Sequence, residues 1–228
     1  MHTPLRELRE RKDVRLLSLE DLLRLLGRRQ RGITQVSLEL KFPEHPQWPE
    51  QLARLYAQLA ASGIAHKARR PAPVRRRPRA EPRARARAQI ALVVDNGAQA
   101  AQHRSAQRQH GVTVELLQLH RDLDAPVGPD GQPHFNQSLA LATGALFDGW
   151  SVSVKLLEPA MMAQARRLQR PVSVWVVDDE EALELAWRLE VDGLVTNRPK
   201  WAHSQVLAWY DEACAREGAA PRQELRTR

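Results

Sequence analysis

Two side chains of complementary chemistry stand two residues apart near the front of the chain: Glu39, a hard oxygen donor, and Lys41, an ammonium. They end the stretch 33–41, ITQVSLELK, whose apolar and polar residues alternate as in a half-buried strand. Strand side chains repeat every two residues, so Glu39 and Lys41 point to one side. An ammonium so placed can offset the charge of an anion, and a pair of solvated surface charges is the plainer alternative. Asp95 closes a second apolar run, IALVVDN at 90–96, and Trp175 sits within a third, VSVWVV at 172–177. The eight histidines show no metal-ligand spacing. His103 and His110 are seven apart on a polar helix, while His120 and His134 lie in or beside loops, and all are read as surface residues. Cys214 has no His or Asn context and reads as inert.

The elements that must position these groups alternate along the chain. Residues 171–199 read as strand, helix, strand: a β-branched run, then Asp178 or Asp179 as helix cap, then Asp192-Gly193 as a turn into a short strand. Ser18 and Asp21 form a capping box ahead of Leu19, Leu22, Leu23 and Leu26. A helix opens at Pro49 and closes at Gly63, and an exposed, Ala-rich helix is expected over 98–109. Strands are expected at 112–119 and 150–154, short helices around 138–143 and 159–168, and a closing helix after Pro199. The order is α/β throughout, which implies a mostly parallel sheet.

The chain of 228 residues carries a net charge of +8, but the charge is concentrated. Between Lys67 and Arg87 there are ten basic residues and one acid, Glu81, a net of +9, leaving −1 for the remainder. The Arg/Pro/Ala-rich segment 66–88 has Val74 as its one large apolar residue and reads as disordered. The folded part therefore gives no reason to expect specific nucleic-acid binding. No run is long and apolar enough to span a bilayer, the first 15 residues are charged and lack the apolar stretch of a signal peptide, and one cysteine excludes an internal disulfide. A soluble, cytoplasmic protein is expected, with a frayed N-terminus at 1–15, one domain over 16–211 and a polar tail at 212–228.

Three stretches resemble the glycerophosphodiester phosphodiesterase family, whose fold is a (β/α)8 TIM barrel. Leu38-Glu39-Leu40-Lys41 resembles its Glu-Leu-Lys strand end. Trp175-Val176-Val177-Asp178 is similar to its Trp-Thr-Val-Asn, with Asp178 where the family has Asn. Residues 191–199, VDGLVTNRP, resemble its closing Val-Asp-Gly-Ile-Ile-Thr-Asp-x-Pro, with Asn197 where the family has Asp. The resemblance implies that Glu39 is a divalent-metal ligand, for Mg²⁺ or Ca²⁺, that Lys41 offsets the substrate phosphate, and that Trp175 lies against the alcohol moiety. The reaction it implies belongs to lipid metabolism: metal-dependent hydrolysis of a glycerophosphodiester to glycerol 3-phosphate and an alcohol.

The family's His-Arg-Gly and His-Asp are absent, and the Glu-x-Asp of its second strand has no counterpart. The expectation is an incomplete barrel lacking the first two strands, without either catalytic histidine and with little or no activity. The family also places a strand ending in Ser-Phe-Asp, with its helix, where the basic segment stands. A βα unit lost through a compensated frameshift is expected there. Two other readings stay open: a non-catalytic barrel fragment that binds a partner or a phosphorylated ligand, and a basic adaptor touching nucleic acid or anionic membrane through 67–87.

Overall fold

The computed structural model describes residues 18–27, 35–39, 45–63 and 89–216. Six strands lie in one sheet in chain order, every neighbouring pair parallel: β1 Gln35–Glu39, β2 Gln89–Val94, β3 Glu115–His120, β4 Gly149–Ser153, β5 Val172–Trp175 and β6 Gly193–Leu194. Helix α1 (Leu19–Gly27) precedes β1. The helices α2 (Trp48–Ser62), α3 (Gly97–His110), α4 (Gln137–Ala142), α5 (Pro159–Arg167), α6 (Glu180–Arg188) and α7 (Pro199–Arg216) each follow a strand. Sequential parallel strands with a helix after each are the arrangement of an incomplete (β/α)8 barrel. Among the described residues no helix is long and apolar enough to cross a membrane.

Local chemistry sets the helix starts. Ser18 and Asp21 form the reciprocal box, each backbone N–H donating to the other's side chain at 3.3 and 3.1 Å. Asn96, Asn136 and Asp179 accept from the N–H of Gln99, Leu139 and Ala182 at 2.9–3.0 Å, capping α3, α4 and α6. Asp179 is thus the cap of α6, which leaves Asp178 for another task. Gly63 and Gly111 end α2 and α3 with positive φ.

Among the described residues Gln35–Glu39 pairs directly with Gln89–Val93, in register and with no strand between them. The first described strand is simply followed by the next, with residues 64–88 joining Gly63 to the start of β2. Lys41 and the basic residues 67–87 lie outside the described residues.

The apolar residues between sheet and helices divide into two clusters. The first joins α1, α2 and α3 to β2 and the start of β3, with Tyr56, Leu59, Leu92 and Leu116 fully buried. The second joins α4, α5, α6 and α7 to β4 and β5 around Trp150, Met161, Val174 and Leu183. Polar contacts stitch the seam. The Asp148 carboxylate accepts from the Leu116 N–H at 2.9 Å and from Arg104 at 2.7 Å, and Arg170 donates to the carbonyls of Gly144 and Phe147.

Gly149 begins β4 where there is no room for a side chain: a Cβ there would stand 2.6 Å from the Pro171 carbonyl oxygen and 2.9 Å from Leu117 Cδ2. Gly149→Ala is expected to cost about 1–3 kcal/mol, the usual penalty of overpacking, visible as a lower denaturation midpoint.

Two histidines depart from the expected surface placement. His103, on a helix expected to be exposed, is 1% accessible and shares a 3.0 Å hydrogen bond with the Tyr56 hydroxyl. Trp48 and Tyr56 on α2 cover it edge-on. His120, 5% accessible, packs 4.7 Å from Phe135 and 6.2 Å from Trp150. Burial pushes both imidazoles down to about 4.

Candidate functional site

Barrel chemistry belongs at the C-terminal ends of the strands. Which residues face the barrel interior follows from the two clusters. Val172 and Val174 pack in the helix-side core, so Ser173 and Trp175 face the other way. The same alternation puts Glu39, next to Leu38 of the helix side, on the inner face of β1. Glu39 is exposed there, ending the first described strand. Trp175 is half-buried at the end of β5 beside Ser153 of β4, and its indole N–H is buried with no partner among the described residues.

Between them the rim is a series of paired charges. Asp95, just past β2, meets Arg121 at 3.0 Å, and Arg121 also reaches Asp124 at 3.6 Å. Asp122, just past β3, holds Lys155 at 3.0 Å. The Lys155 ammonium, with help from Ser153, keeps the Asp122 carboxyl below the usual carboxylate range. Farther out, His134 is placed between Asp130 at 3.1 Å and Glu158 at 3.6 Å, and Asp130 raises its pKa.

The last two strand ends are tied together by Asp178. Its Oδ1 accepts from Thr196 Oγ1 at 3.0 Å and from the Asn197 N–H at 2.8 Å, and its Oδ2 accepts from Asn197 Nδ2 at 2.7 Å. Arg198 donates to the Asp178 carbonyl at 2.9 Å while lying 4.5 Å above the Trp201 ring. The Asn197 side chain leads the causes that lower the Asp178 pKa.

Residues 171–200, which form this corner, match the model of the glycerophosphoryl diester phosphodiesterase family. Over those residues the chain is similar to that family. A Galdieria sulphuraria structure described as a glycerophosphodiester phosphodiesterase superposes with a TM-score of 0.60 at 17% identity, covering 89% of this chain and 70% of that one. One from Silicibacter pomeroyi, described as a glycerophosphoryl diester phosphodiesterase, gives 0.57 at 20% identity, over 82% and 55%. A glycerophosphodiester phosphodiesterase from Parabacteroides distasonis gives 0.51 at 16%, over 83% and 63%. These likenesses share the fold, and the chain spans little more than half the length of the Silicibacter pomeroyi structure. No curated protein gives a sequence match.

The sequence-derived residues thus meet only in part. Glu39 and Trp175 share the inner face, on the first and fifth of the six strands, and Lys41 lies outside the described residues. Asp95 does line the rim, engaged by Arg121. Arg121, Asp122, Ser153 and Lys155 were not singled out from the sequence. Their signal was position alone: each follows or ends a strand. Among the described residues no Mg²⁺ or Ca²⁺ site is assembled. Asp95, Asp122 and Asp178 are each held by a cation or an amide, and no three His, Cys, Asp or Glu side chains among the described residues converge on a metal position.

Proposed function

We propose that this glycerophosphodiester phosphodiesterase-like chain binds a glycerophosphodiester, or the phosphate monoester released from one, at the C-terminal mouth of its barrel. Residues 18–216 then turn it over weakly or not at all. The observation that carries the binding reading is Trp175: a family-matched residue on the inner face whose buried indole N–H has no acceptor among the described residues. An indole offers an apolar face to an alcohol moiety and one donor to an oxygen.

The expectation of weak turnover rests on the proton-transfer groups. His103 and His120 are enclosed in the helix-side cores, and both ring nitrogens of His134 already face carboxylates. None of these three is free at the mouth to act as acid or base. With sn-glycero-3-phosphocholine and either Mg²⁺ or Ca²⁺, phosphate-ester hydrolysis is expected at buffer background and unchanged in Glu39→Ala. Turnover of about 1 s⁻¹ or more that Glu39→Ala abolishes would overturn this reading. In calorimetric titration with the same compound or with glycerol 3-phosphate, Trp175→Ala is expected to weaken binding about tenfold, the loss of roughly 1.4 kcal/mol.

A further inference from the structure

Each of the two family stretches at this corner departs from the family pattern at an acid or amide position. The family's Trp-Thr-Val-Asn has become Trp175-Val176-Val177-Asp178, and its Thr-Asp has become Thr196-Asn197. In the sequence these are unrelated substitutions 19 residues apart. In the structure they are bonded to each other, Asn197 Nδ2 to Asp178 Oδ2 at 2.7 Å. The chain has not lost an Asn and an Asp. It has exchanged them.

Atom by atom the exchange is neutral. Asp178 uses Oδ1 as a double acceptor, for the Thr196 hydroxyl and the Asn197 backbone N–H, and Oδ2 to receive the Asn197 amide. An Asn at 178 keeps the first two bonds through its own Oδ1. Its Nδ2 then donates to an Asp at 197, reversing the direction of the third bond. One acid and one amide are required, in either order. Two acids are not equivalent, because carboxylate oxygens facing each other have no proton between them unless they share one.

We propose that Asp178 and Asn197 form an acid–amide latch, carried here in the reverse sense, that joins the ends of β5 and β6 and positions Trp175 at the mouth. Trp175 lies three residues before Asp178 on the same chain exit, and the latch ties that exit to the end of β6 alongside the Arg198 bond to the Asp178 carbonyl and the Val177 N–H bond to the Val195 carbonyl. Both are positioning residues. The charged groups around the pair are Arg198, which holds the Asp178 carbonyl, and Asp179, which is turned away as the cap of α6.

The test is a mutant cycle read on the Trp175 side chain itself, using full-length protein labelled with 5-fluorotryptophan and the Trp175 resonance assigned through Trp175→Phe. At pH 8, Asn197→Asp is expected to shift or broaden that resonance, and Asp178→Asn in the same chain to restore it. Lowering the pH to 5 should also restore the single variant, as the two carboxyls come to share a proton. Asp178→Asn alone is expected to be mild, since an amide flip at Asn197 re-forms the pair. Asp178→Ala should resemble Asn197→Asp at pH 8 but show no recovery at pH 5. An unmoved resonance in Asn197→Asp, or a double variant no better than that single one, overturns the latch.

Where glycerol 3-phosphate binds, its affinity should fall about tenfold in Asn197→Asp and return to within about threefold in the double variant. This arm rests on the ligand reading above, and the fluorine signal does not. A latch that cycles without any ligand binding would sink the ligand reading alone.

Discussion

Trp150→Ala is expected to remove about 3–5 kcal/mol of stability, the range for deleting a fully buried large aromatic side chain. Trp150 is 1% accessible and stands on the helix side of β4, its ring 5.0 Å from Phe135 and 6.2 Å from His120. Such tilted and edge-on ring contacts add about 0.5–1.5 kcal/mol to what the buried area alone contributes. The cavity would open between β4 and the helices that cover it, where Met161 and Met162 are also buried. Against a typical total of about 5–15 kcal/mol, this loss is expected to leave a substantial unfolded population at room temperature. Urea titration should show a much lower midpoint at a similar slope. Trp187→Ala is the comparison: that ring is 40% accessible and meets Trp209 at 5.9 Å, so its loss should be far smaller.

The second large effect is acid sensitivity through the two buried histidines. In the folded chain both titrate at about 4, against an ordinary value of 6.5. Between those values the unfolded chain binds protons that the folded chain does not, so stability rises with pH there and is lost as the pH falls. It is fully present above about pH 6.5. Each histidine contributes on the order of 3 kcal/mol across the window, at 1.36 kcal/mol per pKa unit. Together they can consume most of an ordinary stability by about pH 4. Denaturant midpoints measured from pH 7 to pH 4 should fall with a slope near two protons. His120→Phe is expected to reduce that slope to about one proton and to raise stability at pH 5. Its Nε2 has no partner among the described residues, so a phenyl ring there removes an unsatisfied atom.

Much of the architecture was legible because the chain punctuates itself. Pro171, the Asp178-Asp179 pair and Asp192-Gly193 bound β5, α6 and β6, and Asn96 marks the start of α3. The sheet order beyond that was not legible. Residues 64–88 separate β1 from β2 with a segment that has no apolar pattern, so nothing in it announces that the two strands pair as direct neighbours. The α3 helix was misread for a related reason. His103 and Gln107 look solvated in a polar sequence, yet Tyr56 from a different helix covers the first, and the second donates to the Val114 carbonyl.

At the candidate site, sequence located residues but not faces. Trp175 stands in a mostly apolar run, so the packing of Val172 and Val174 decides that it looks inward. The rim charges were invisible for the opposite reason: Arg121, Asp122 and Lys155 are ordinary loop residues until the strand ends bring them within 4 Å of partners. The Asp178–Asn197 pair was seen as two separate departures because nothing in a linear sequence links positions 19 apart.

The division of the helix-side packing into two clusters has a consequence for how the molecule comes apart. Each strand pairs with its neighbour in the chain, so no pairing between the first and last strands binds the described fold into one cooperative block. The clusters meet along β3 and β4, where Asp148, Arg104 and Arg170 supply the cross-links. Each half can then act as a foldon with its own opening free energy. Each also encloses one of the two low-titrating imidazoles: His103 lies under Trp48 and Tyr56 in the first, and His120 lies against Phe135 and Trp150 in the second. Acid therefore acts on both foldons separately, and the seam decides whether they open in one step or two.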